Sequence, residues 1–263
     1  MSLKNKNILV TGGAGFIGSH LVDALIKENP ENITVLSNFF LGKEENLTEA
    51  KENFQKLKIY HGSAADFEVT KKIFENQNID LVYNLAVIPL PASLEDPLGS
   101  TLENIKLALN MCELLRKGFF KKLSHFSSSE AYWSAKQVPM LENHPLNPET
   151  PYAAAKASGD LIVDSYYRTF KLDTSILRPF NNYGPRQNAG KFAAIIPLFI
   201  KKILNKENTL TINGDGEQTR DFIFVKDTAQ AAIEFSKSNN VIGKTINIAS
   251  GREISMNYLV DLI

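Results

Sequence analysis

A glycine-rich turn near the start of the chain constrains its fold more than any other feature. Residues 11–18 read Thr-Gly-Gly-Ala-Gly-Phe-Ile-Gly, after the apolar run 8–10 and before a helical pattern over 16–28. Glycine lets a backbone approach a ligand closely, and the N–H groups that open a helix attract anions. A strand, a glycine turn and a helix in this order indicate a dinucleotide pyrophosphate site rather than an ordinary turn. The spacing is Gly-x-x-Gly-x-x-Gly, which differs from the usual Gly-x-Gly-x-x-Gly fingerprint.

Composition excludes several classes of partner. The 263 residues carry a formal net charge of zero, so no general attraction to nucleic acid or to an anionic membrane is expected. Cys112 is the single cysteine, which excludes an internal disulfide and suits a reducing compartment. No apolar run reaches membrane-spanning length, no secretory signal opens the chain, and the histidines lack metal-ligand spacing. We therefore expect a cytoplasmic protein without a metal site.

Strand-like and helix-like patterns alternate along the chain. Strands are predicted at 8–11, 33–36, 58–61, 81–85, 122–127, 174–177 and 245–248. Helices are predicted at about 16–28, 43–54, 68–77, 99–117 and 151–170, with Pro30 ending the first helix and Gly118 capping the fourth. This alternation predicts an α/β fold with a Rossmann-like, doubly wound parallel sheet, whose ligands lie at the carboxyl ends of the strands.

One tyrosine–lysine pair is a candidate for proton transfer. Tyrosine is followed by lysine four residues later at 132/136, 152/156 and 167/171, so the bare pattern is weak. Only Tyr152 opens a helix, in Tyr-Ala-Ala-Ala-Lys, where small alanines let the helix face approach a cofactor. Positions four apart project from the same side of a helix. Context therefore favours Tyr152 and Lys156.

The tyrosine needs the lysine because the pKa of a phenol is about 10, which is too high for a base at neutral pH. A nearby ammonium, together with an oxidised nicotinamide, is expected to stabilise the phenolate and lower its pKa. The phenolate then takes a proton from a sugar hydroxyl while hydride leaves the same carbon. Ser128, at the end of the fifth predicted strand, is placed to hydrogen-bond the same oxygen. A turn or helix-capping role is the alternative for Ser128.

Together with further motifs, these residues resemble the extended short-chain dehydrogenase/reductases that act on nucleotide sugars, the NAD-dependent epimerase/dehydratase family. The matching segments are 11–18, 84–86, 127–132, 152–156, 178–186 and 220–227. The resemblance implies an NAD(P)-binding Rossmann-like domain over 1–178, to which a late strand near 244–249 returns. It also implies a substrate-binding lobe over 179–263, which we expect to be incomplete because family members usually continue further. Ser128 takes the position of the family's catalytic serine or threonine.

The resemblance also implies which residues contact the cofactor. Those that carry over by position are Gly12, Gly15, Phe16, Ile17 and Gly18 at the pyrophosphate, Leu85 and Ala86 under the adenosine and ribose, and Asn104, Tyr152, Lys156 and Pro179 at the nicotinamide.

Two departures from the family pattern affect the choice of cofactor. Ser37 and Asn38 stand where an aspartate usually binds the adenosine 2′-hydroxyl. Ser63 and Ala64 stand where the family has a carboxylate near the adenine. Loss of the charge at 37 removes repulsion against a 2′-phosphate, and Lys43 is placed to attract one. NADP therefore stays open, although the run 38–43 resembles NAD-using decarboxylases and favours NAD.

On the substrate side the resemblance implies a nucleoside diphosphate sugar. Asn182 and Arg220 match residues that hold the diphosphate, and Ile195 lies near where the family holds the nucleotide base. For Arg220 an ion pair with Asp221 or Asp227 is the alternative. Family members commonly form a homodimer through two helices, which here are those near 99–117 and 151–170.

The residues after Ser128 bear on the reaction that follows oxidation at sugar C4. Dehydratases of the family have Asp-Glu at this point, whereas this chain has Ser129 and Glu130. UDP-glucuronate decarboxylases have Thr-Ser-Glu, which is close to the run 128–130. We favour a UDP-hexose or UDP-N-acetylhexosamine 4-epimerase because this reaction needs no further acid or base. Decarboxylase, 4,6-dehydratase and a non-catalytic dinucleotide-binding protein are the alternatives.

Overall fold

The computed structural model describes residues 2–207 and 209–263, which form ten strands and nine α-helices. The strands are β1 (Asn7–Thr11), β2 (Asn32–Ser37), β3 (Leu57–His61), β4 (Leu81–Asn84), β5 (Lys122–Phe126), β6 (Thr174–Pro179), β7 (Asn181–Tyr183), β8 (Thr219–Phe224), β9 (Thr245–Ile248) and β10 (Glu253–Ser255). The helices are α1 (Phe16–Ile26), α2 (Thr48–Asn53), α3 (Phe67–Asn76), α4 (Leu90–Glu95), α5 (Pro97–Arg116), α6 (Pro151–Phe170), α7 (Ile195–Leu204), α8 (Val225–Lys237) and α9 (Met256–Leu262).

The main sheet has seven parallel strands in the order β3-β2-β1-β4-β5-β6-β9. The strand order reverses between β1 and β4, and the glycine turn follows β1 at this switch point, where open α/β sheets bind ligands. The late strand near 244–249 is β9, which pairs with β6. The predicted Rossmann-like, doubly wound sheet is confirmed. A second sheet of three strands, in the order β10-β8-β7, lies outside it.

The core consists of two apolar clusters, one on each face of the main sheet. Ile8 and Val10 of β1 point into the cluster that contains side chains of α1 and α8, and Leu9 points into the cluster formed with α3, α5 and α6. Alternate side chains of a strand project to opposite faces, so a strand covered by helices on both sides is apolar throughout. The run 8–10 is therefore buried on both faces of the sheet.

Some predicted boundaries differ from the structure. The first helix, predicted over about 16–28, ends at Ile26. The chain turns before Pro30 because Asn29 adopts a positive φ of 54° and the N–H of Glu31 bonds to the carbonyl of Lys6, which starts the entry into β2. The helix predicted over 43–54 is a 3₁₀ turn, Glu44–Leu47, followed by α2. The predicted cap at Gly118 is confirmed, with a φ of 80° and an N–H that donates to Leu115.

Neither a spanning helix nor a metal cluster occurs in residues 2–207 and 209–263. No helix there is both long and apolar enough to cross a bilayer. No group of three or more His, Cys, Asp or Glu side chains there is placed to hold a metal ion. Cys112 is buried, and burial raises the pKa of its thiol to about 12.

Candidate active site

A cleft of about 360 Å³ lies along the carboxyl edge of the main sheet, above the glycine turn. Its walls come from the segments that follow β1 to β6 and from residues 182–194 of the second lobe. This lobe consists of the sheet β10-β8-β7 and the segment that leads into α7. Most of the residues predicted to bind cofactor or substrate share this cleft. They are Gly12, Gly15, Phe16, Ile17, Gly18, Ser37, Asn38, Ser63, Ala64, Leu85, Ala86, Ser128, Tyr152, Lys156, Pro179 and Asn182.

The glycine turn is shaped for close packing and for an anion. Gly12 has a φ of 68°, and a Cβ there would lie 2.9 Å from the backbone of Ala86. A Cβ at Gly18 would overlap the carbonyl oxygen of Gly12. Helix α1 begins directly after Gly15, which provides no side-chain cap, and its first turn contains no acidic residue. Its first N–H groups therefore open onto the cleft, which fits the pyrophosphate of a dinucleotide.

We expect Gly18→Ala to lower the free energy of unfolding by about 1–3 kcal/mol and to weaken dinucleotide binding, because the added methyl forces the turn away from α1. Urea unfolding and a dinucleotide titration measure the two effects. Gly190→Ala is the control, since a Cβ there meets only Asn188 Oδ1, at 3.4 Å. Equal stability of the two variants would contradict the close packing of the turn.

Tyr152 lies in the first turn of α6, which Thr150 caps by accepting a hydrogen bond from Ala153. The Tyr152 side chain is partly buried, and its hydroxyl lies beside Ser128. Burial raises the pKa of Tyr152 to about 12; the Ser128 hydroxyl lowers it and the Glu130 carboxylate raises it. Desolvation therefore outweighs the other effects in the protein itself. The lowered pKa expected from the sequence included an oxidised nicotinamide beside the phenol, and it stays a prediction.

Lys156 lies one turn after Tyr152 and is also buried. Its ammonium group donates a hydrogen bond of 2.9 Å to the carbonyl oxygen of Phe126, the last residue of β5. Burial lowers the pKa of Lys156 to about 8, and the nearby charge of Asp160 opposes this shift. Lys156 thus brings a positive charge to the floor of the cleft at neutral pH, held in place by the main chain.

A buried ion pair that the motifs did not indicate supports this end of the cleft. Arg178 contacts Asp160 Oδ2 through both Nε and Nη2 at 2.8 Å, and both side chains are almost fully buried. The guanidinium also lies over the ring of Tyr132, 4.6 Å from its centre. Because Asp160 follows Lys156 by one helical turn and Arg178 precedes Pro179, the pair joins α6 to the strand end that lines the cleft.

Glu130 and Arg220 lie near each other beyond the tyrosine, although neither lines the cleft. Burial raises the pKa of the Glu130 carboxyl, and the positive charge of Arg220 opposes this. Arg220 is exposed on β8, where Nη1 donates to the carbonyl of its neighbour Thr219 at 2.8 Å. Glu130 therefore interacts electrostatically both with Tyr152 and with Arg220.

Four other predicted residues also lie outside the cleft lining. Asn104 is buried, and its amide exchanges two hydrogen bonds, of 2.8 and 2.9 Å, with the backbone of Ile88. It therefore supports the loop that lines the cleft. Lys43 bonds through its backbone N–H to Ala14, Ser129 begins a 3₁₀ turn, and Ile195 begins α7.

The structure adds lining residues that were not among the predicted site residues: Glu103 on α5, and Arg186 and Phe192 in the segment before α7. Arg186 pairs with Asp23 on α1 at 2.6 Å, and Phe192 stacks on Phe40 with ring centres 6.0 Å apart. These contacts hold the second lobe across the cleft. Arg186 lies in the motif 178–186, but Glu103 stands in an ordinary helical pattern that carries no such signal.

The hydroxyl of Ser128, the phenol of Tyr152 and the ammonium of Lys156 thus line the same cleft as the glycine turn, whose shape fits a pyrophosphate. The arrangement suits removal of a proton and a hydride from one substrate carbon, so fold and site define a dinucleotide-dependent enzyme of the dehydrogenase type. The NAD dependent epimerase/dehydratase family matches residues 8–249. The chain belongs to this family, and NAD is its cofactor.

Several known proteins are similar to this chain. A putative UDP-glucose 4-epimerase from Methanocaldococcus jannaschii is 36% identical over 97% of this chain and 81% of its own length. The structure of a UDP-N-acetylglucosamine 4-epimerase from Methanobrevibacter ruminantium, in complex with UDP-N-acetylmuramic acid, is 39% identical with a TM-score of 0.89, covering 98% and 81% of the two chains. The Thermotoga maritima UDP-glucose 4-epimerase with UDP-glucose is 34% identical with a TM-score of 0.89, covering 97% and 81%. Other relatives include dTDP-D-glucose 4,6-dehydratases and UDP-glucuronic acid decarboxylases.

Proposed function

We propose that the chain is a 4-epimerase of a UDP-hexose or a UDP-N-acetylhexosamine. The observation that carries the proposal is the grouping of Ser128, Tyr152 and Lys156 at one end of the cleft, with Ser129 where a dehydratase has an aspartate. Epimerisation needs only this set and room for the sugar to turn. The similarity to proteins described as UDP-glucose and UDP-N-acetylglucosamine 4-epimerases supports the same reaction.

In this proposal each of the three side chains has one task. Tyr152 takes the proton from the sugar C4 hydroxyl and returns it to the same oxygen after the ring has turned. Ser128 hydrogen-bonds that oxygen and the phenol, and Lys156 provides the positive charge that favours the phenolate. Bound NAD supplies the acceptor and donor of hydride for C4.

The substrate contacts are proposals of the same kind. The Oδ1 atom of Asn182 is buried in the cleft and has no hydrogen-bond partner within residues 2–207 and 209–263, which leaves it for a ligand. We assign Asn182, through this acceptor oxygen, to a hydroxyl of the sugar diphosphate, Arg220 to its phosphate oxygens, and Ile195 to the side of the nucleotide base. The guanidinium of Arg220 is exposed and suits paired phosphate oxygens.

The experiment that tests the function offers the purified protein UDP-galactose, UDP-N-acetylglucosamine, UDP-glucuronate and dTDP-glucose in turn. Proton NMR of the products separates the reactions: inversion at C4 without loss of atoms is expected. Loss of water would favour a dehydratase and loss of carbon dioxide a decarboxylase. If no sugar is converted although released nucleotide shows that NAD was bound, the enzyme proposal is wrong and the protein only binds the dinucleotide.

A UDP-glucuronate decarboxylase is the second candidate, because the run 128–130 retains a glutamate. Glu130 is partly buried near Tyr152 and Arg220, and burial raises the pKa of its carboxyl. Such a group holds a proton more readily than an exposed carboxyl and suits donation to a carbanion. Conversion of UDP-glucuronate in the same assay separates this candidate from the first.

We also propose a cytoplasmic homodimer formed by α5 and α6. Large apolar side chains are exposed along both helices, at Leu98, Leu102, Leu109, Leu161 and Phe170. Leu98 is 73% exposed and Leu161 is 61% exposed, which favours burial against a second copy. The buried free thiol of Cys112 is consistent with a reducing compartment.

A further inference from the structure

The adenosine end of the cleft can be located from the sheet alone. The pyrophosphate site follows β1, and Tyr152 and Lys156 lie towards β5 and β6. The other half of a dinucleotide therefore extends over the ends of β2 and β3, which are lined by Ser37 and Ser63. Neither residue carries a charge. The Ser37 hydroxyl is already engaged locally, since it accepts a hydrogen bond of 3.2 Å from the N–H of Phe39.

A carboxylate reaches this uncharged end from a different element. Glu103 of α5 lines the cleft, and its Oε1 accepts a hydrogen bond of 2.6 Å from the hydroxyl of Ser63. Ser63 and Glu103 are 40 residues apart in the chain, so the contact depends on the packing of α5 against the segment after β3. The Ser63 hydroxyl also accepts from the N–H of Ala65 at 3.1 Å, which fixes its orientation.

The chemistry of this pair defines what it can recognise. A carboxylate only accepts hydrogen bonds, and Ser63 occupies one of its two oxygens. Within the described chain the hydrogen bonds of Glu103 involve Oε1, which leaves Oε2 for a donor on the ligand. The base at this end of a dinucleotide is a purine, and adenine differs from a 6-oxopurine in bearing an exocyclic amine that donates. An oxo group at the same place would set two acceptors against each other.

We propose that Glu103, held by Ser63, recognises the exocyclic amine of adenine and selects a 6-aminopurine dinucleotide over its 6-oxopurine analogue. This inference rests on NAD being the cofactor and does not depend on which sugar reaction the enzyme performs. The negative charge also opposes a 2′-phosphate nearby, since the side chain of Lys43 does not line the cleft. The selecting carboxylate thus comes from a helix instead of from the ends of the strands.

The test compares NAD with nicotinamide hypoxanthine dinucleotide, in which an oxo group replaces the amine. Dissociation constants are measured by calorimetry on protein freed of bound nucleotide, for wild type, Glu103→Gln, Ser63→Ala and the exposed control Glu52→Gln. Wild type and the control are expected to prefer NAD about 10- to 100-fold. In Glu103→Gln the preference falls to about threefold or less, because an amide can both accept and donate. Ser63→Ala keeps the preference but binds NAD about three- to tenfold more weakly.

Two results overturn the inference. One is equal binding of both dinucleotides by wild type, which requires no variant to fold. The other is an unchanged preference in a folded Glu103→Gln protein, verified by circular dichroism. Both results leave the proposed epimerase activity standing, because NAD binding and sugar conversion are measured in separate assays.

Discussion

Replacing Tyr152 with phenylalanine is expected to lower turnover of the UDP-sugar by about 10²- to 10⁴-fold, the usual contribution of a positioned proton-transfer group. The hydroxyl oxygen is the one polar atom lost, and the ring still fills its partly buried site beside Ser128. Binding of NAD is expected to stay within about threefold, because the glycine turn and α1 remain unchanged. Steady-state kinetics on the UDP-sugar and calorimetry with NAD measure the two quantities.

The chain contains a matched control for this variant. Tyr167 also precedes a lysine by four residues and lies on the same helix, and the Nζ of Lys171 is 5.9 Å from the centre of its ring. Tyr167 lies outside the cleft, so Tyr167→Phe should retain full turnover. Equal losses in both variants would mean that the effect arises from α6 as a whole, and no loss in Tyr152→Phe would remove the tyrosine from the mechanism.

The sequence predicts the main sheet well because its five inner strands are almost wholly buried. A continuous apolar run between helical patterns has few other uses, and all seven predicted strands occur in the sheet. Helix α6 spans the predicted 151–170 because its first turn carries clear signals. Thr150 caps the helix, and Pro151 has a fixed φ and no N–H to satisfy.

The second lobe is less predictable because its elements depend on contacts between distant segments. Strand β7 has three residues and β8 is partly exposed, so neither presents a long apolar run. The two pair only because residues about 40 positions apart come together, as Asn181 does with Phe222. The short β10 was missed for the same reason.

The candidate site also contains residues that local motifs predict and residues that only tertiary packing places there. Residues in the glycine turn and in the Tyr152–Lys156 pair are local motifs, and the structure brings them into one cleft. Glu103 lines the cleft because of how α5 packs against the segment after β3, and no local sequence pattern indicates this packing. The pKa of Tyr152 also could not be predicted from the sequence, because the degree of burial that raises it is a property of the packed structure.

Replacing Arg178 with methionine is expected to destabilise the protein by about 3–5 kcal/mol, because the Asp160 carboxylate stays buried without its partner. Burial already raises the pKa of Asp160, and Arg178 opposes the rise. Without the guanidinium, the folded-state pKa moves further above the unfolded value of about 3.9. The folded variant then binds a proton more tightly than the unfolded chain, so its stability falls as pH rises through the folded-state pKa. The stability deficit relative to wild type should shrink as the pH is lowered from about 8 to about 5.

The double variant Asp160→Asn with Arg178→Met tests whether the unpaired charge causes this loss. It removes the carboxylate and should recover at least about half of the lost stability and most of the pH dependence, since no buried charge is left without a partner. Urea unfolding of wild type, Arg178→Met and the double variant at about four pH values between about 5 and 8 gives the free energies of unfolding. A loss below about 1 kcal/mol in Arg178→Met, or a deficit that is constant with pH, would mean that Asp160 is protonated or solvated in the folded protein. In that case the ion pair would add little to the joining of α6 and the end of β6.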